Sequence, residues 1–159
     1  MTIDNPNPAL VPSQVRSLPA QPLSPAEERT WSLLVHLSVL VNLVTGFAGP
    51  VAALVIYLIY KDRSSKVAYH ALQAMIFQLI WWYGCGLLIG AMWATIGVLS
   101  AVLIGIILIP FAILMTLVLA LLPMGAVIYG IIAAIQVNQG QDFKYWLVGD
   151  WVRSTLTDR

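Results

Sequence analysis

The 159-residue chain is 60% hydrophobic and only 9% charged, against about 25% charged in an ordinary soluble domain. Its 8 basic and 7 acidic residues nearly cancel, which leaves no electrostatic footprint for a nucleic-acid partner. The charges are also confined, with none between Arg29 and Lys61 and none from Val67 to Gln141; this excludes a water-soluble fold and reads as an all-α integral membrane protein.

Residues 1–24 carry Pro6, Pro8, Pro12, Pro19 and Pro22. Proline removes backbone donors and opposes helix, and the segment has too little apolar surface to offset its ordering entropy, so it reads as a disordered tail. It also lacks the basic start and apolar run of a secretory signal. The membrane domain, residues 25–153, opens on Ser24-Pro25-Ala26-Glu27, a capping box with proline at the first helical position. Trp31 follows, at the depth of an interfacial aromatic.

A straight helix over Trp31–Tyr60 would be about 45 Å long, against a hydrocarbon core of about 30 Å. Gly46, Gly49 and Pro50 break it into 25–44 and 51–60, so the first element is either one broken, tilted span or a hairpin that enters and leaves on one side. The row Ser38, Asn42 and Thr45 leads into the break and is placed either to satisfy carbonyls freed there or to form part of a hydrophilic groove. Lys61, Asp62, Arg63 and Lys66 form a short basic loop, which the charge rule for membrane loops assigns to the cytoplasm.

Residues 67–137 form a second apolar block that holds two long spans, 67–94 and 98–137, or three with very tight turns. The expected breaks are Thr95–Gly97, Gly105–Pro110 and Pro123. Three spans would carry the C-terminus across the membrane, whereas Lys144, Arg153 and Arg159 suit a cytoplasmic end. Residues 141–153 mix Phe143, Tyr145, Trp146 and Trp151 with charges and read as a segment lying at the headgroup boundary, before a short tail at 154–159.

Intramembrane polar residues usually face protein or a water-filled cavity. His36, Asn42, His70, Gln73 and Gln78 are therefore the candidate polar functional surface, with His70, Gln73, Phe77 and Trp81 along one stripe. Gly86, Gly90 and Ala94, and again Ala126, Gly130 and Ala134, repeat at four-residue spacing and form candidate helix-packing seams. Two histidines and the single Cys85 do not supply a zinc site. The spans contain no carboxylate, lysine or arginine, so the expectation is a non-enzymatic protein without cofactor. Its expected partners are membrane lipid and either other membrane proteins or copies of itself.

His36-Leu37-Ser38, the Gly49-Pro50 break, Lys61-Asp62, Tyr69-His70-Ala71-Leu72-Gln73-Ala74 and the exit from Ile132 to Asp150 come in a familiar order. Over residues 29–153 the chain resembles the Tic-twenty-like group of small bacterial membrane proteins, a family of unknown function. The resemblance implies a helical bundle with both ends on one side, and it favours the hairpin form of residues 31–60. It also implies, as an alternative to a scaffold, a pore or transport component akin to a protein-import channel in which the polar residues line a path. The long apolar block before Pro123 and Trp81, Trp82 and Trp93 depart from that pattern. The expected location is the inner membrane, multi-pass, with loop 61–66 and the C-terminus cytoplasmic.

Overall fold

Ser24 sets the start of the first helix. Its hydroxyl accepts from the Glu27 amide at 3.3 Å, and the Glu27 carboxylate accepts from the Ser24 amide at 2.8 Å. This closes the capping box that the sequence spells. The Ser24 amide and, at 2.7 Å, the Ser24 hydroxyl both donate to the Glu27 carboxylate and hold it below its ordinary pKa, the backbone bond contributing most. A computed structural model describes residues 21–157, so residues 1–20 of the tail proposed for 1–24 lie outside the described residues. Leu23, at the end of that segment, is buried against Tyr60 and Val67.

Helix α1 runs Pro25–Leu37 and α2 Val39–Thr45. Ser38 joins them with helical torsions, its amide reaching back to Leu34 and Val35. Gly46 then takes a left-handed φ of 79°, and α3 runs Gly49–Tyr60. The chain reverses at this point. Trp31 and Tyr60, at the two ends of the element, meet with ring centroids 4.5 Å apart, and the Leu23 amide donates to the Arg63 carbonyl. The first element is thus a helical hairpin. The polar row before the break serves carbonyls, as expected, through Ser38 Oγ to Val35 and Thr45 Oγ1 to Val41, and it serves amide donors as well. Thr45 Oγ1 accepts from the Ala48 amide at 3.0 Å, and Asn42 Oδ1 accepts from the Gly49 amide at 2.7 Å. Chain reversal leaves first-turn amides of the next helix without intrahelical partners, and these need satisfying too.

Helix α4, Ser65–Gln78, starts at Ser64, whose hydroxyl accepts from the Val67 amide and donates to the Glu28 carboxylate. It passes through a π-helical turn, Leu79–Gly84, into α5, Cys85–Ser100, giving one helix of 36 residues. Helix α6, Ile104–Asn138, has 35 residues and holds Pro110 and Pro123 in its interior. At 1.5 Å per residue each is more than about 50 Å long. The expected breaks at 95–97, 105–110 and 123 are all helical. The turn falls at Ala101–Leu103, where Leu103 adopts φ 67°. No glycine or proline marks this turn. It is placed by the crossing beside it, where a side chain on Gly105 would run into the Ile96 carbonyl and Ser100.

Gly140, with φ 81°, ends α6, and residues 141–148 lead to α7, Gly149–Thr157, which packs on α4. The segment 141–153 therefore does not simply lie along an interface. Trp146 and Trp151 are exposed, but Phe143 and Tyr145 turn inward and are buried. The core gathers Val35, Ala74, Phe77, Ala133, Val137 and Tyr145 from α1, α4, α6 and the final loop. Beyond this bundle α5 and the first half of α6 continue as a pair, tied by a hydrogen bond from Trp93 Nε1 to Thr116 Oγ1. Leu87, Val98 and Ile107 there are 74%, 75% and 78% exposed. An exterior of that kind suits lipid and not water.

Candidate functional site: a buried histidine–glutamine network

The five polar residues singled out in the sequence are brought together in two groups, and they form no surface. His36, Asn42, His70, Gln73 and Gln78 are all buried within the bundle. Lipid offers polar groups no partners, so they turn toward one another and toward irregular backbone.

The first group joins α1, α4 and the loop after α6. Gln73 Oε1 accepts from the Tyr145 amide at 3.2 Å. Its amide nitrogen therefore faces the Phe143 carbonyl at 3.1 Å and His70 Nδ1 at 3.0 Å. That makes His70 Nδ1 an acceptor. His36 Nε2, 3.1 Å from the same atom, is then a second donor sharing its single lone pair. For two neutral imidazoles this leaves His36 Nδ1 bare, and it accepts from the Tyr145 hydroxyl at 3.2 Å. One chain of hydrogen bonds thus runs from Tyr145 through His36 to His70, with Gln73 holding both ends. Burial pushes the Tyr145 phenol up from its ordinary pKa, keeping it a donor. Its ring stacks on Phe77 at 4.0 Å. His70 Nε2 and Ser32 Oγ are buried without a hydrogen-bond partner among the described residues.

The second group sits deeper. Asn42 Nδ2 donates to Gln78 Oε1 at 3.1 Å, and Gln78 Nε2 donates to Ser38 Oγ at 2.9 Å. With Asn42 also holding the Gly49 amide, the hairpin tip is pinned to α4. A side chain on Gly49 would collide with both Gln78 and Asn42, so the glycine is what lets the tip approach.

The two small-residue seams have opposite fates. Ala126, Gly130 and Ala134 are buried, and a Cβ on Gly130 would lie 2.8 Å from a Val39 methyl. They are the ground on which α1 and α2 cross α6. Gly86, Gly90 and Ala94 are exposed, and no atom lies within 4 Å of where a Cβ would stand on either glycine. Sequence reasoning missed Tyr145 and Phe143 as members of the network. Their position beside Lys144 and Trp146 reads as headgroup chemistry, and only the fold shows the backbone of 143–145 seated on Gln73. No three of His, Cys, Asp and Glu converge among the described residues as they would around a metal ion.

Two long apolar helices, a helical hairpin and an interior polar network define a small helical membrane protein. The chain belongs to the magnetosome magnetite crystal formation protein family (MamF/MmsF), whose profile matches residues 27–152. No curated protein and no solved structure matches it. This corrects the Tic-twenty-like assignment. The motifs behind that resemblance, around His36, Gly49 and His70–Gln73, are the residues that lock the helices together. They report a way of packing helices and do not fix the family. The link to protein import that rested on the resemblance falls with it.

Proposed function

We propose that this protein resides in a magnetosome membrane and takes part in magnetite crystal formation as a non-enzymatic scaffold. It would act through helix–helix contacts with other membrane proteins or with further copies of itself. The family supports the setting. The scaffold role is supported chiefly by one observation, that both ends of the Gln73 amide are taken by the backbone of residues 143–145. A transport path lined by these residues would need them open to water. Here they hold the last loop against the bundle. The basic loop Lys61–Lys66 is placed in the cytoplasm by the charge rule, with α7 beside it and the Ala101–Leu103 turn at the opposite face.

The test is a cysteine at Gln73, after replacement of Cys85, in permeabilised cells or cytoplasmic-side-out vesicles treated with a membrane-impermeant thiol reagent. The scaffold predicts no labelling while a control cysteine at Ser65 is labelled from the cytoplasmic side. Rapid labelling at Gln73 would establish a water path and overturn the reading. Failure of the tagged protein to co-purify with crystal-bearing membranes would overturn the setting.

A further inference from the structure

The charged end of the molecule holds a cavity of about 320 Å³ between the start of α4 and α7, lined by Ser65, Lys66, Tyr69, Asp142, Arg153 and Leu156. Four features of its wall converge on one chemistry. The first turn of α4 presents the amides of Ser65 and Lys66, since the Ser64 hydroxyl caps only Val67 and is otherwise engaged by Glu28; free amides at a helix start favour an anion. Lys66 is half-buried and makes no ion pair among the described residues. Arg153 is fixed in place, its guanidinium 4.8 Å from the Tyr69 ring centroid and one nitrogen 2.7 Å from Asp142, with its other donors left over. Tyr69 is 8% exposed, and its buried hydroxyl has no partner among the described residues beyond the Arg153 guanidinium over its ring. The two cations outweigh the single carboxylate of Asp142.

We infer that this cavity binds a phosphate-bearing anion, with the α4 amides, Lys66 and Arg153 around the phosphate oxygens and the Tyr69 hydroxyl completing the set. The group could be an anionic lipid headgroup or a free phosphate ion. Its position favours the lipid. The cavity lies where the apolar exterior gives way to the charged end, beside the exposed Trp151 and with Leu156 on its wall, a place where a headgroup sits while its acyl chains follow the helices. This inference does not depend on the proposed scaffold role.

Native mass spectrometry of the full chain in detergent, titrated with phosphatidylglycerol or phosphatidylcholine, tests it. One phosphatidylglycerol should be retained in preference to phosphatidylcholine. Lys66→Gln and Tyr69→Phe should each weaken that binding about tenfold, the worth of one hydrogen bond to a charged group. Tyr69→Phe keeps the ring beneath Arg153 and removes only the hydroxyl. Lys66→Gln changes a half-buried side chain outside the core and keeps the test open if the tyrosine variant fails to fold. Displacement of the lipid by inorganic phosphate would identify the free ion as a ligand of the same site; resistance to it would identify the headgroup. Equal retention of both lipids with no phosphate effect, or wild-type affinity in folded Lys66→Gln, would overturn the assignment.

Discussion

Gln73 uses one amide to hold two backbone groups and a histidine, and its replacement separates packing from hydrogen bonding. Gln73→Leu preserves volume but strands the Tyr145 amide and the Phe143 carbonyl. Each stranded buried group costs about 1–3 kcal/mol, so the variant should unfold in detergent at a clearly lower denaturant concentration than wild type. It should also release residues 141–148 to protease before the helices melt. An unchanged midpoint would mean that water reaches these groups. The polar residue types of this network were legible in the sequence, because few polar side chains interrupt the spans. Their partners were not. Tyr145 lies 109 residues from His36, and nothing local says that an aromatic beside Lys144 points inward.

At the level of elements, the capped start of α1 and the glycine-proline break were readable because each is written in adjacent residues, whereas the break alone did not distinguish a tilted span from a hairpin. The turn at Ala101–Leu103 was not readable. Its residues are apolar and β-branched or helix-forming, and the reversal is imposed by the close crossing at Gly105. Pro110 and Pro123 misdirect as well, since membrane helices tolerate an interior proline and α6 runs through both. The two small-residue seams were indistinguishable in sequence because spacing reveals which residues share a face but not what that face meets. They differ in a measurable way. Gly130→Ile would drive a branched side chain into Val39 and the His36 carbonyl and should destabilise the fold by about 1–3 kcal/mol or more. Gly90→Ile enters open space and should leave the unfolding midpoint of the monomer unchanged. Circular dichroism during detergent denaturation distinguishes the two; equal loss in both would contradict the exposed placement of Gly90.

On the scale of the whole molecule, ionisable groups from α1, the α3–α4 loop and α7 gather at one end, as the Glu28–Ser64 and Arg153–Tyr69 contacts record. The apolar body extends from there to Leu103. The helix Ser65–Ser100 alone is about 54 Å along its axis, well beyond the hydrocarbon core of about 30 Å. Such an excess is met by tilting, bending or thickening of the bilayer. In vesicles of increasing acyl-chain length the helices should become more upright, seen as a falling tilt in oriented infrared dichroism. A tilt independent of chain length would mean that part of the α5–α6 pair lies outside the hydrocarbon. Overlong greasy columns are costly in a thin sheet of lipid and less so in a thick one. Membrane thickness alone would therefore act as an address, drawing this protein toward certain compartments before any receptor reads a signal in its chain.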